Sequence, residues 1–476
     1  MIKRISSSLL FFFLFFSAIK APAQDYSFLQ QEIVKPSIGF HSANRDSLRK
    51  ILPKNSVAVF FSAPIRNKSN DIDYEYHQNP DFYYLSGFNE PNAALLVFKN
   101  TAILGDDSIK EVLFVQKKDP DFELWNGERL GVEEAKQKLG IEKVLPVDSL
   151  LPVMKSLPWF ERVFYSEPTG MTKADSAKTD KLFGIYHIVS SNLQVRERNS
   201  EAYLELMMAK LRQIKTAEEI EILRKAINIT SMAQIELMKS LKPEMYEYET
   251  EAIVEYIFHR AGAQFPGFPS IHGGGANSCV LHYVKNRSKL EKGDLLVSDI
   301  GAELHGYSAD VTRTLPVSGK FSNEQRLIYE LVLKAQKAGI EAAQPGNSFY
   351  APHTAAKKII AEGLKELGII KDLEQVSRYF MHGTSHYLGL DVHDVGLYQE
   401  LEEGNVITVE PGIYIKEGSN CDPKWWNIGV RIEDDILIRA EGPENLSEMT
   451  PREVDEIEKL MKEAGSFEHV KFLETK

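Results

Sequence analysis

The sequence predicts two domains: an α/β domain, then an α+β domain made of two pseudo-repeated helix/β-hairpin halves. Three observations point there. Short apolar runs alternate with helix-prone stretches up to about residue 191, which is the α/β pattern. From about residue 199 the order becomes helix, hairpin, helices, hairpin. Each hairpin carries two acids at matched distances from its turn.

The length of 476 residues, with 43% hydrophobic and 26% charged, suffices for two cores. A formal net charge of −12 without a basic stripe argues against nucleic acid or an anionic membrane as partner. The start reads as an export signal: Lys3 and Arg4, the apolar run 9–16, then Ala21-Pro22-Ala23. That run is too short to span a bilayer comfortably, so stable membrane insertion is not expected. We expect cleavage between Ala23 and Gln24 and export to a bacterial periplasm. Cys279 and Cys421 are the only cysteines. They allow one bridge or two thiols, and they fit no zinc-ligand spacing.

The first domain is expected over residues 24–198 and the second over 199–476. Residues 24–48 are polar and end in a helix. Runs 57–61, 94–98 and 112–115 read as strands, and 133–139 as a helix closed by Gly140. The aromatic stretch 71–91 divides in two. Residues 82–88 read as core, and 71–78 either as core or as the exposed wall of a binding site. Residues 192–215 are charged, helix-prone and read as the connection. Thr216 with Glu219 forms a capping box ahead of Ile220, Leu223 and Ile227 at helical spacing. Further helices are expected over 250–261, 323–343 and 351–367.

In the first hairpin, runs 295–300 and 307–313 read as strands around a turn at 303–306. Asp299 and Asp310 lie equidistant from its centre. In the second, 406–415 and 428–437 flank a longer loop, with Glu410 and Glu433 equidistant. Acids opposite each other in an antiparallel pair sit about 5 Å apart and repel. Asp299 also interrupts a buried-looking run, and a buried unpaired carboxylate is costly. Two such pairs ask for a compensating cation. Surface acids are the bland alternative, and for Glu433 a salt bridge to Arg431.

Between the hairpins, residues 382–396 hold His382, His386 and His393. The spacing of His382 and His386 lacks the zincin glutamate, and Gly383 and Gly389 argue against a helix. Four carboxylates and an imidazole form the ligand set of a two-metal hydrolytic site, and oxygen-rich ligation favours a hard ion such as manganese. His282 has no distinguishing context of its own. The glycines 273–275 lack the Lys-Ser/Thr of a phosphate loop, and no Gly-x-Ser-x-Gly elbow occurs.

The segments SDIGAE (298–303), SADVTRT (308–314), HGTSHYLGLDVHDVG (382–396), TVEPGIY (408–414) and GVRIEDD (429–435) together resemble aminopeptidase P, the Xaa-Pro branch of the pita-bread metallopeptidases. The stretch ending DFYYLSGFNEP is similar to that branch's creatinase-like N-terminal domain. The resemblance implies Asp299, Asp310, His386, Glu410 and Glu433 as ligands of two divalent ions, manganese first and zinc or cobalt as alternatives. Asp310 and Glu433 would be shared between the ions. It implies Glu410 as the proton carrier and His282 and His393 as stabilisers of the tetrahedral intermediate. Arg431 would support the acids, and His382 and Tyr414 would line the proline side. The implied substrates are peptides with proline second, and the implied assembly is a homo-oligomer, dimer or tetramer. The nearest alternative is an Xaa-Pro dipeptidase (prolidase). A metal-free binding module on the same fold is the rival from another class, against which five intact ligands argue.

Overall fold

The structure is a computed structural model that describes residues 35–168, 181–198 and 201–467. The expected export signal and its cleavage site lie outside the described residues. No helix among the described residues is long and apolar enough to cross a membrane.

The N-terminal half is a six-stranded mixed sheet flanked by helices. Its spatial order is Val144–Pro146, Asp107–Val115, Ala94–Leu104, Ser56–Phe61, Phe160–Tyr165, Val195–Arg198. The unbroken apolar run of Ser56–Phe61 fits its place: all six residues are buried between neighbours on both sides. The helix Gly131–Leu139 stops at Gly140, which takes φ 60°. The charged residues 195–198 were expected to belong to a helical connection. They add instead as a parallel edge strand beside Phe160–Tyr165. An edge strand exposes one side to water and tolerates such charge. Phe82 and Phe88 are fully buried, while Tyr74 in the preceding arm is 56% exposed.

In the C-terminal half, the capping box forms as expected: Thr216 N–H donates to Glu219 Oε2 at 2.8 Å, ahead of helix Ala217–Ser240. The next helix begins at Glu247, three residues before the expected start, because the Glu249 side chain caps the Tyr246 N–H at 2.6 Å. Helices Asn323–Ala342 and Ala351–Glu366 separate the two hairpins.

The hairpin registers divide. In the second, Val406↔Leu437 and Ile415↔Ile428 set a register that places Glu410 level with Glu433, as expected. Each long strand is broken at the acids, where Pro411 lacks a donor. In the first, Asp299 pairs with Thr312, not Asp310, so the register is two residues from expectation. The turn is the cause. Leu304↔Tyr307 closes a two-residue loop in which His305 and Gly306 have φ 51° and 82°, a type I′ turn. Its centre lies one residue later than the sequence suggested. Asp310 remains a diagonal neighbour of Asp299 on the same face. The strands cross so closely there that a Cβ on Gly301 would sit 1.8 Å from the Ala309 carbonyl oxygen.

The two halves share one apolar cluster, in which Phe82, Phe88 and Leu95 meet Leu223, Tyr307 and Leu390. A buried ion cluster lies beside it. Asp394 accepts from Lys215 Nζ at 2.8 Å and from Arg212, which also reaches Asp81 at 2.7 Å. Cys279 and Cys421 are free thiols.

Burial pushes the Asp394 carboxyl up, but Arg212 and Lys215 outweigh it and hold it below the ordinary value. A depressed folded value means stability that is complete above the unfolded carboxylate pKa and lost as pH falls through the folded one. Asp394→Asn should therefore cost about 3–5 kcal/mol in urea unfolding at pH 7, by leaving buried Lys215 without its carboxylate partner and Arg212 with Asp81 alone. It should also flatten the loss of stability that the parent shows below about pH 4.

Candidate metal centre

Each carboxylate comes from or beside a buried strand. Asp299 is the last but one residue of Leu295–Ile300, Asp310 precedes Val311–Pro316, and Glu410 and Glu433 occupy the interruption of the second hairpin. The helix Ala217–Ser240 ties the first pair of strands from behind: Gln234 Nε2 donates to Ser298 O and Val311 O, both at 2.9 Å. His386 comes from the irregular segment between the hairpins. Its backbone N–H meets Thr408 Oγ1 at 3.2 Å. Its Nδ1 lies 3.0 Å from the Tyr387 carbonyl. A carbonyl only accepts, so Nδ1 carries the proton and Nε2 presents a lone pair. That Nε2 stands 3.5 Å from Asp310 Oδ2 and 3.7 Å from Glu410 Oε1.

Ligand atoms of Asp310, His386 and Glu433 all lie within 4.8 Å of one another, and all three residues are buried. Asp310 is raised well above the carboxylate range by burial first and then by Asp299. Glu433 is raised likewise, by burial and then Asp310. Glu410 is pushed up to about 7, chiefly by burial. The Oδ1 atoms of Asp299 and Asp310 are buried without a hydrogen-bond partner. Buried, crowded and under-satisfied oxygens fit a pair of divalent cations.

The alternative of a salt bridge from Arg431 to Glu433 does not form: Arg431 pairs with Asp299 instead, at 2.6 Å. Glu433 is held instead by Thr312 Oγ1 at 2.6 Å. Arg431 also donates to the Tyr414 hydroxyl at 3.0 Å, which in turn lies 2.9 Å from His382 Nε2. Because His382 Nδ1 contacts the Gly383 carbonyl at 2.6 Å, Nε2 accepts from Tyr414. Burial, then the Arg431 charge, lowers His382 to about 4. Tyr414, expected to touch substrate, is 1% exposed, with its hydroxyl taken up between Arg431 and His382. His393 packs against His386 with ring centroids 4.1 Å apart and the planes tilted by 38°. His393 is itself lowered to about 4, by burial and then by the His386 and His282 charges. His282 is exposed on a loop beside it.

The arm at residues 71–78 reaches this region. His77 Nε2 lies 3.0 Å from Glu303 Oε2, and the Glu303 charge raises the His77 pKa. Arm and catalytic half enclose a cavity of about 960 Å³ whose lining includes Asp391 and Val392, just before His393.

Two family models match the chain: Metallopeptidase family M24 over residues 221–440, and Aminopeptidase P, N-terminal domain, over 41–158. An Xaa-Pro aminopeptidase of Haemophilus influenzae is 39% identical over 419 residues, covering 86% of this chain and 93% of its own. The Xaa-Pro aminopeptidase of Escherichia coli is 36% identical over 438 residues, covering 88% and 96%. Among solved structures, zinc-substituted E. coli aminopeptidase P in complex with product superposes with a TM-score of 0.81 at 34% identity, covering 90% of this chain and 99% of that one. The chain belongs to metallopeptidase family M24, in its aminopeptidase P branch. It is accordingly a metal-dependent hydrolase, with the pita-bread catalytic fold behind an aminopeptidase P N-terminal domain.

For an M24 enzyme, the supporting residues were the hard part to read. Gln234 looks like any polar residue on a helix, and Thr312 like any strand threonine; neither has a local signal. Thr408 sits inside a quoted motif, yet its hydroxyl contact to His386 spans 22 positions.

Binding of a divalent ion should relieve the carboxylate repulsion and stabilise the fold by about 2.7 kcal/mol at a hundredfold excess over Kd. Thermal unfolding of chelator-treated protein with and without manganese measures this. A Tm indifferent to the ion would contradict the fit.

Proposed function

We propose that the chain is a metal-dependent aminopeptidase that releases the first residue from peptides with proline second. The observation that carries this is the convergence of Asp310, Glu433 and His386 within 4.8 Å, with Glu410 3.7 Å from His386 Nε2, in a chain similar over most of its length to Xaa-Pro aminopeptidases. Asp299, Asp310, His386, Glu410 and Glu433 would hold two divalent ions, manganese by preference for an oxygen-rich set, with zinc or cobalt as substitutes. Bound there, the ions would polarise the scissile carbonyl and make water acidic enough to ionise near neutral pH.

The chain's own groups do the rest. Glu410 takes a proton from the attacking water and delivers one to the proline nitrogen. His282 and His393 donate to the oxygen that gains charge. Arg431 holds Asp299 by direct pairing. His382 lines the proline side in neutral form, backed by Tyr414. The Xaa-Pro bond has no N–H, and a site asking for none accepts it. The domain boundary is proposed near residue 199, just beyond the last strand of the first sheet. A dimer or tetramer is proposed from the helix Pro120–Asn126, which buries none of its residues and leaves Leu124 and Trp125 82% and 85% exposed. Export is proposed from the sequence of residues 1–23 alone.

Glu410→Gln should lower kcat by about 10²–10⁴ while leaving the unfolding transition in place. Full activity in that variant would remove the role given to Glu410. A manganese-supplemented panel should show cleavage of Xaa-Pro-Yaa peptides and loss of cleavage when alanine replaces proline. Cleavage confined to Xaa-Pro dipeptides would identify a prolidase instead.

A further inference from the structure

The helix Glu247–Arg260 opens with an acid that the chemistry above does not use. Glu247 is fully buried, at 0% exposure. Its Oε1 accepts from the Gly274 N–H at 2.9 Å and the Asn277 side-chain amide at 2.8 Å. Its Oε2 accepts from the Tyr283 hydroxyl at 2.9 Å and the Ser288 N–H at 2.7 Å. Four donors occupy both oxygens, close to the capacity of a carboxylate. All four come from one loop, residues 274–288, and that loop carries His282.

The bonds are spread along the loop. Gly274 and Ser288 are its ends, and Tyr283 is the residue next to His282. On the other side, Arg431 Nη2 reaches the Leu281 carbonyl at 3.4 Å. His282 is therefore bracketed by two tied neighbours. Its own side chain is exposed and needs an external frame to hold a fixed direction. A neutral amide could not replace the acid. Gln has one accepting oxygen and would turn two donors of its own toward groups that already donate. Such a loop could be closed by apolar packing alone. Burying a carboxylate to do it, with every contact made to the His282 loop, marks a demand for placement rather than for mere closure.

We propose that Glu247 is a positioning residue for the peptidase reaction, fixing the 274–288 loop so that the His282 imidazole stands beside His393. The inference rests on the role given above to His282.

The test is a double-mutant cycle between Glu247→Gln and His282→Ala in full-length, manganese-loaded enzyme. Glu247→Gln should lower kcat about tenfold with KM within about twofold. In the His282→Ala background the same substitution should change kcat less than about twofold. Equal factors in both backgrounds overturn the positioning role alone. A His282→Ala enzyme with unaltered kcat overturns the role of His282 and this proposal with it. A second readout is independent of turnover. In metal-free protein labelled at histidine, the His282 ring resonance, assigned by its absence in His282→Ala, should shift in Glu247→Gln. An unshifted resonance overturns the proposal. Tyr283→Phe removes one donor only and tolerates folding well. It should show the same dependence on His282 at smaller size, and independence from His282 overturns the proposal again.

Discussion

Acids buried against one another are the constraint to which the catalytic half conforms. Asp310 and Glu433 each feel burial and a neighbouring carboxylate, and both are driven far from their ordinary ionisation. The chain answers part of this itself. Arg431 lies on Asp299, and Thr312 donates to Glu433. At Asp310 the carboxylate oxygen Oδ1 is left bare. Protein cations are thus supplied at the rim and withheld from the middle. A fold that wanted neutral packing there would have placed apolar side chains at these positions, as it does at Val297, Val311, Val409 and Ile432 nearby. Such a middle suits positive charge from outside the chain.

The run Glu433-Asp434-Asp435 shows how strand geometry allots such charge. Alternation sends Glu433 and Asp435 to one face and Asp434 to the other. Glu433 joins Asp310 and His386 in a group that could hold a metal ion. Asp435 lies behind Asp310 and accepts its backbone N–H at 3.2 Å. Asp434 turns away into a pocket where Arg313 at 2.7 Å and Arg452 neutralise it, with Gln336 at 2.7 Å. Three adjacent acids of similar chemistry therefore enter a candidate metal group, a backbone anchor and a structural ion pair. Composition treats them alike; only the period of two separates them.

That period also explains what the sequence reveals and what it conceals. Where a loop is long and its flanks are regular, as around residues 416–427, equal spacing finds the right register, and Glu410 and Glu433 come out level. Where the turn is two residues long, His305 as a left-handed residue carries little signal, and the inferred centre slips. The consequence is mild, because a shift of two keeps Asp310 on the face of Asp299. Ligand candidates are legible because acids inside apolar runs are conspicuous. Their supports are not. Gln234, Thr312 and Glu247 act on groups 27 to 121 positions away, and no local pattern encodes such a partner. The edge strand Val195–Arg198 was hidden for another reason: its charge suits one open side, which a helix-prone reading explains equally well.

Arg431 joins two tasks that a list of site residues keeps apart. One nitrogen of its guanidinium pairs with Asp299, and another donates to Tyr414, which donates to the neutral His382. The orientation of His382 is thus set by the same cation that pairs with Asp299. A change at Arg431 cannot act on the acids alone: freeing Asp299 also releases the Tyr414 hydroxyl from its donor, and His382 loses the partner whose direction was fixed. Asp299, Arg431, Tyr414 and His382 are therefore one hydrogen-bonded unit, and in such a unit single deletions do not add.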